Sequence, residues 1–210
     1  MTFRRNERIA SLVNPPRRLV LICSGVAKLA MATVNGHERI VYVFRPGDLV
    51  GSRVFLPNSL EAAYEVVAIT PVHAISIDLA EVEAIGRDHP EILLAVTSSF
   101  ARRLERITER LMGAMTEDVT VRLCRLLLDF VAEDQERSSE YVPLQHPLTH
   151  ETMASIVGAT RPHTSGVLAE LEAKGVVKRN RRALLVRPEG LAEILKQSGR
   201  SGRIESDVLV

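Results

Sequence analysis

Basic side chains near the C-terminus stand where they could bind the phosphates and base edges of a nucleic acid. Arg161 is followed downstream by Lys178, Arg179, Arg181 and Arg182. An arginine guanidinium can bridge O6 and N7 of guanine with two hydrogen bonds. Lysine and arginine beside phosphate add affinity because they release bound counterions. These residue types indicate contact with double-stranded DNA, provided that the local structure presents them on one surface.

Two short helices joined by a tight turn are predicted to present that surface. Thr149 can cap a helix over 150–157, Gly158 can make the turn, and Thr160 can cap a second helix that ends at Gly175. This is the helix-turn-helix pattern, in which the second helix enters the major groove. At about 100° per residue, one face of the second helix carries its predicted core residues, Thr164, Val167, Leu168 and Leu171.

The opposite face of the second helix carries small side chains behind the long Arg161, which predicts one strong base contact. Segment 176–186 then reads as a strand, a basic turn and a second strand, a wing suited to phosphate contact. The predicted DNA-binding residues are Thr149, Thr160, Arg161, His163, Ser165, Lys178, Arg179, Arg181 and Arg182.

The first part of the chain reads as short strands separated by turn signals. Apolar or alternating runs occur at 19–23, 28–34, 39–44 and 63–78, and Asn35-Gly36 is a strong hairpin signal. Short strands with such turns are typical of an all-β roll or barrel. We therefore predict a β-roll before the first helix.

A helical period replaces the strand pattern after residue 78. Apolar residues at alternating spacings of four and three predict a helix with a coiled-coil seam, which can bind the same helix of a second copy. The alternative is a core helix packed within one chain. A second apolar helix is predicted over 117–134. The residues assigned to the dimer seam are Leu93, Thr97, Phe100, Leu104, Ile107, Leu111 and Ala114.

The charge of the chain is uneven, although its 210 residues carry a formal net charge of only +1. Residues 19–147 hold 12 basic and 18 acidic side chains, whereas residues 148–203 hold ten basic and five acidic ones. An acidic body therefore accompanies a basic module that suits an anionic partner.

Several classes of protein do not fit the sequence. The two cysteines, Cys23 and Cys124, are too few for a disulfide framework or a four-cysteine iron–sulfur site, which favours a reducing, cytoplasmic setting. The uncharged runs are shorter than the roughly 20 residues that span a membrane. Motifs of serine hydrolases, phosphate-binding loops and zinc proteases are absent, so neither an enzyme nor a metal site is predicted.

Five segments follow one another between about Leu19 and Val186: ICSGVAKL, FRPGDLVGS, HPEILLAVTSSFARRLERITE, EDVTVRLCRLLL and TMASIVGATRPHTSGVLAELE. In this order they resemble the family of the cyclic AMP receptor protein and the fumarate-nitrate regulator (CRP/FNR). The resemblance implies an α+β chain with a cyclic-nucleotide-binding-like β-roll over 1–88, a long dimerisation helix over 89–115 and a C-terminal winged helix-turn-helix over 116–210. It also implies a homodimer on palindromic DNA, with RNA polymerase as a partner if the chain activates transcription.

The chain departs from that family at the pocket for a cyclic nucleotide. The family's Gly-Glu pair falls on Gly51-Ser52, and its phosphate-binding Arg-Ser pair falls on Ala62-Ala63. A phosphate buried without a cationic partner is costly, so cyclic AMP is not expected in the usual mode and no cofactor is predicted. Regulation without an effector follows from this expectation. The residues assigned to a vestigial pocket are Gly47, Gly51, Ser52, Arg53, Ala62, Ala63 and Thr108.

Two alternatives stay open. The same fold could be gated by an unidentified ligand or by haem, for which His37, His73 and His89 are candidate ligands. The family's Arg-Glu pair and later arginine fall on Arg161-Pro162 and Gly166, so the DNA-binding module could be weakened and the chain could act by binding another protein. Family members usually carry about 20 more residues before the segment matching LVLICSG, so either the roll lacks its opening strands or the true start of the chain lies upstream.

Overall fold

The computed structural model describes residues 1–11, 18–32, 38–51, 64–131, 140–144, 146, 148–180 and 183–206. The chain divides into two compact units, Met1–Leu111 and Met112–Val210. Among the helices in these ranges, none is long and apolar enough to cross a membrane.

A β-roll of two antiparallel sheets forms most of the first unit. Its described strands are β1 (Thr2–Phe3), β2 (Arg8–Ser11), β3 (Arg18–Ser24), β4 (Ala27–Ala32), β5 (Glu38–Phe44), β6 (Leu49–Val50), β7 (Tyr64–Ala68) and β8 (Val72–Asp78). One sheet has the order β1-β8-β3-β6 and the other has the order β2-β7-β4-β5. Apolar residues of both sheets share one core, in which Ile22, Tyr42 and Phe44 are at most 2% exposed. The predicted β-roll is confirmed.

Turns in the roll depend on glycine where the backbone comes close to another segment. Gly25, between β3 and β4, has a φ of +83°, and a Cβ atom there would lie 2.1 Å from the carbonyl oxygen of Pro71. Only glycine fits such a position without displacing backbone. The Asn35-Gly36 turn lies outside the described residues, but β4 and β5 on either side pair antiparallel, with Ala32 opposite Glu38.

The N-terminal segment adds an edge strand to each sheet. Thr2 of β1 pairs with His73 of β8, and Ala10 of β2 pairs with Val66 of β7. The strands predicted from the sequence begin at Leu19, so neither β1 nor β2 was predicted, and the alternative of a roll without its opening strands is wrong. The reason is that β1 and β2 are short and their partners lie far along the chain, so local alternation carries little signal.

Two helices follow the roll. Asp78 begins α1 (Leu79–Asp88) with a capping box, in which Glu81 accepts from the backbone N–H of Asp78 at 3.1 Å. The long helix α2 (Pro90–Thr116) follows after His89, close to the predicted range 89–115. Ile107 on α2 packs against the core of the roll.

The second unit contains the remaining described elements, α3 (Val119–Asp129), β9 (Val142–Pro143), α4 (His150–Val157), α5 (Arg161–Ala173), β10 (Val177–Asn180), β11 (Ala183–Val186) and α6 (Pro188–Ser206). The strands form an antiparallel sheet of order β10-β11-β9. Helix α3 packs against α6, α4 and α5. The helix predicted over 117–134 is shorter, because Phe130 forms its C-cap. Strand β9 and helix α6 were not predicted from the sequence.

Candidate nucleic-acid interface

The helix-turn-helix forms as the capping residues predict. Thr149 accepts a hydrogen bond from the backbone N–H of Thr152 at 3.0 Å, and Thr160 accepts one from that of His163 at 3.4 Å. Gly158 ends α4 with a φ of +68°, a left-handed conformation that favours glycine. These local interactions set the turn between α4 and α5.

The two faces of α5 have opposite surroundings. The predicted core residues Thr164, Val167, Leu168 and Leu171 are all buried. On the other face Arg161 is exposed at the first turn, and a Cβ atom at Gly166 would meet nothing within 4 Å. Ser165 lies one turn after Arg161 and is half-buried. Helix α5 therefore presents an arginine at its N-terminal end and small side chains behind it. The small side chains leave room for the edges of a DNA groove to come close to the helix.

The wing adds basic side chains whose positions are held by neighbours. The Lys178 ammonium lies 3.7 Å from the centre of the Tyr141 ring, and the Tyr141 hydroxyl donates to the carbonyl oxygen of Gly175 at 2.6 Å. The Arg179 guanidinium lies 3.1 Å from a carboxylate oxygen of Glu172 on α5. Strands β10 and β11 form the predicted hairpin, whereas its basic turn residues, Arg181 and Arg182, lie outside the described residues.

His150 belongs to this surface, although it is not among the DNA-binding residues predicted from the sequence. Its Nδ1 lies 2.8 Å from the Ser165 hydroxyl, which links the start of α4 to the exposed side of α5. The pKa of His150 is lowered, mainly by partial burial and then by the charges of Arg179 and Arg161. The one available sequence signal was its place directly after the Thr149 cap.

The structure describes three of the residues assigned to a vestigial pocket. Gly47 and Gly51 have φ of +88° and +110°, and a Cβ atom at Gly51 would lie 2.5 Å from the carbonyl oxygen of Arg18. Both glycines therefore adopt backbone conformations in the roll that other residues rarely adopt. Thr108 is exposed and its hydroxyl donates to the carbonyl oxygen of Leu104. The other four, Ser52, Arg53, Ala62 and Ala63, lie outside the described residues.

A cluster of arginine and aromatic side chains lies where α2 faces the roll. The Arg103 guanidinium is 4.7 Å from the centre of the Phe44 ring, 5.3 Å from that of Tyr42 and 5.2 Å from that of Phe100. Arg103 is 8% exposed, and its Nε and Nη2 atoms have no hydrogen-bond partner among the described residues. Burial lowers the pKa of Arg103. Arg106 donates to the Tyr42 hydroxyl at 3.0 Å.

The exposed apolar stripe on α2 differs from the seam assigned from sequence. Phe100 and Ile107 are half-buried, and Ile107 contacts the roll core, so both take part in packing within the chain. Leu104 and Leu111 remain highly exposed, as assigned, at 67% and 59%. Leu93 and Ala114 are exposed as well, and at four of the seven places the exposed stripe takes the residue that follows the assigned one. The exposed stripe is Leu94, Thr97, Ala101, Leu104, Thr108, Leu111 and Met115.

Two of the histidines considered for haem have different neighbours. His73 is on β8, where its Nδ1 is 3.2 Å from the Thr2 hydroxyl, and His89 is 3.0 Å from Glu91. His37 lies outside the described residues. Within the described ranges, no group of three potential metal-binding side chains occurs.

A helix-turn-helix with a basic exposed end on α5, followed by a hairpin that carries Lys178 and Arg179, defines a winged-helix DNA-binding protein. The family model of the Crp-like helix-turn-helix domain matches residues 121–194, and that of the cyclic nucleotide-binding domain matches residues 1–89. The chain belongs to the CRP/FNR family of transcription regulators, a family of DNA-binding proteins rather than enzymes.

Comparison with individual proteins agrees with this family. The chain is 27% identical to the CRP-like cAMP-activated global transcriptional regulator of Mycobacterium tuberculosis over 185 residues, which cover 88% of this chain and 82% of the relative. It is 24% identical to the global nitrogen regulator of a Nostoc species, over 88% of this chain and 83% of the relative. A CRP-family regulator from Thermus thermophilus shares the fold, with a TM-score of 0.76 and 22% identity over 93% of this chain and 96% of that one.

Proposed function

We propose that the chain is a cytoplasmic, homodimeric regulator that reads a palindromic DNA site through α5 and does not use cyclic AMP in the usual mode. The observation that carries the proposal is the apolar stripe on α2. Four of its members, Leu94, Leu104, Leu111 and Met115, are between 59% and 74% exposed in the single chain. Exposed leucine and methionine side chains in line along a helix favour a partner helix.

The spacing of the stripe supports a second copy of the same helix as that partner. Its members alternate at three and four residues from Leu94 to Met115, the period that keeps one seam facing a partner in a coiled coil. A two-fold dimer would place two copies of α5 on one duplex, and a symmetric protein reads a site of matching symmetry. The palindrome in the proposal follows from this symmetry.

The case against cyclic AMP depends on residue types in the sequence. The family's phosphate-binding arginine is replaced by Ala62, and the acidic residue of its Gly-Glu pair is replaced by Ser52. Without the guanidinium, a buried phosphodiester loses its strongest hydrogen bonds. Titration of the protein with cyclic AMP, followed by calorimetry and by DNA affinity, is expected to show neither binding at micromolar concentration nor a change in affinity.

One observation favours a second candidate, in which an anionic small molecule gates the same fold. Arg103 is buried, carries a positive charge, and leaves Nε and Nη2 without hydrogen-bond partners among the described residues. Such a group is costly to bury unless aromatic faces or an anion compensate its charge. Thermal melting with nucleotides and with di- and tricarboxylates should find a stabilising anion under this candidate, and Arg103→Met should abolish its effect.

The deciding experiment is selection of DNA from a random pool by the purified protein without added ligand. Enrichment of a palindrome, with affinity that falls steeply as salt rises, is the expected result. Enrichment that appears only after an anion is added would favour the second candidate. No enrichment under either condition would contradict the proposed function and favour a partner protein instead.

A further inference from the structure

The imidazole of His150 lies among groups that suit an anion. It is the first residue of α4, where the helix dipole is positive, and its Nδ1 is 2.8 Å from the Ser165 hydroxyl. Both charged groups that act on its pKa, Arg161 on α5 and Arg179 on β10, are basic. Glu172 is paired with Arg179 and offsets part of that charge.

These groups meet on the side of the second unit that presents the helix-turn-helix to DNA. Ser165 lies one helical turn after Arg161 on α5, and His150 reaches it from the start of α4. A backbone phosphate placed against this corner would face an imidazole, a hydroxyl and two guanidinium groups. Helix N-termini, hydroxyls and arginines are common phosphate ligands in DNA complexes.

We propose that His150 is a DNA-contacting residue that takes up a proton when a backbone phosphate binds beside it, so that DNA affinity increases as pH falls. The inference rests on the DNA binding proposed above. It adds His150 as a contact residue and the uptake of a proton when DNA binds. In the free protein the neighbouring positive charges oppose protonation. A phosphate between them supplies a negative charge and reverses that balance.

The hydrogen bond to Ser165 gives the proton a definite effect. In the neutral tautomer with its hydrogen on Nε2, the imidazole Nδ1 accepts from the Ser165 hydroxyl. When a proton from solvent binds Nδ1, that N–H donates to Ser165 Oγ instead, and the serine O–H is released as a donor toward phosphate. Protonation therefore adds one positive charge and one free donor to the contact.

The sign and size of the pH dependence follow from linkage. The pKa of His150 in the free protein is below its usual value, and in the complex it is raised by the phosphate. Affinity is then low above the pKa of the complex, increases as pH falls through it, and levels off below the pKa of the free protein. One pKa unit between the two states corresponds to about tenfold in affinity per protomer.

The experiment measures the dissociation constant of the selected DNA from pH 5.5 to pH 8 at fixed salt. Wild-type protein should bind at least about tenfold more tightly at the low end than at the high end. His150→Gln should weaken binding, most strongly at low pH, and lose the pH dependence because glutamine cannot take up the proton. His150→Arg should bind tightly at every pH because its cation is permanent. Far-UV circular dichroism and melting temperature verify that both variants fold.

His163→Gln is the matched comparison because His163 lies at the first turn of α5. This variant should weaken binding at every pH and keep the slope. Calorimetry in two buffers of different ionisation enthalpy should detect net proton uptake on binding for wild type and none for His150→Gln. A wild-type slope in His150→Gln, or loss of the slope in His163→Gln alone, would overturn the inference while leaving DNA binding intact. Absence of DNA binding at every pH would overturn the proposed function as well.

Discussion

Arg179 on the wing lies 3.1 Å from Glu172 on α5, so a basic side chain of the DNA-facing surface is paired with a carboxylate of the recognition helix in the free protein. Both side chains are close to half exposed, at 46% and 40%. An exposed ion pair of this kind contributes little to folding, on the order of 0–1 kcal/mol. Its consequence lies in binding, because a phosphate must compete with Glu172 for Arg179.

Replacement of Glu172 by glutamine is therefore expected to strengthen DNA binding. The variant releases Arg179 and removes a negative charge near the phosphates, so affinity should increase severalfold at low salt. The slope of log affinity against log salt should steepen by up to about one unit per protomer, since one more counterion is displaced. Fluorescence anisotropy over a salt series measures both quantities.

Glu170→Gln is the control for that change. Glu170 is exposed on the same helix and carries the same charge, but it is not the partner of Arg179. If Glu170→Gln gave the same increase in affinity and the same steeper slope, the effect would be general electrostatics and the argument from the Arg179 pair would fail.

Leu104→Glu tests the apolar stripe on α2. Leu104 is 67% exposed in the single chain, so the change should leave the protomer folded. At a two-helix seam it would bury two like charges against each other, which should weaken the dimer by at least about 100-fold. Sedimentation equilibrium measures the dimer constant, and affinity for the palindrome should fall with it because a monomer reads half of the site.

Ala95→Glu provides the comparison on the same helix. Ala95 is exposed and lies about 180° around α2 from Leu104, at least about 100° from every member of the stripe. It should leave the dimer constant unchanged. Equal loss of the dimer in both variants, or a dimer that survives Leu104→Glu, would mean that the seam is elsewhere.

Local signals explain why much of the interface could be predicted from the sequence. Thr149, Thr160 and Gly158 act within a few residues of themselves, and their caps and turn form as predicted. The buried face of α5 follows from helical period alone. The place of His150 could not be found this way, because its contact with Ser165 depends on how α4 and α5 pack.

The roll and α2 illustrate the opposite case. Strand β1 pairs with β8 from the far end of the unit, and two residues of alternation cannot reveal such a partner. On α2, apolar residues lie both on the side that faces the roll and on the side that faces away from it. Spacings of three and four residues therefore fit two seams that differ by one residue. Contact of Ile107 with the roll core identifies the inner side, and this contact depends on tertiary structure.

Two glycines offer opposite outcomes for the same substitution. Gly166→Ala should stabilise the second unit by about 1 kcal/mol, because the residue is inside a helix and a Cβ atom there meets nothing within 4 Å. Gly25→Ala should destabilise the roll by more than about 2 kcal/mol, because of its φ of +83° and the carbonyl oxygen of Pro71 at 2.1 Å from the new Cβ. Chemical denaturation measures both, and a loss of stability in Gly166→Ala would contradict the open space beside α5.

Thr164 tests the energetics of the buried face of α5. The residue is 0% exposed, and its hydroxyl has no hydrogen-bond partner among the described residues. Thr164→Val replaces that hydroxyl by a methyl group of similar volume and removes the cost of burying an unpaired polar group. The free energy of unfolding should increase by about 1 kcal/mol.

Thr152→Val is the matched control, since its hydroxyl lies 2.8 Å from that of Thr149 and the change removes a formed hydrogen bond. Thr152→Val should be neutral or destabilising. If Thr164→Val lowered stability in urea denaturation, the hydroxyl would have a partner in solution and the argument would be wrong.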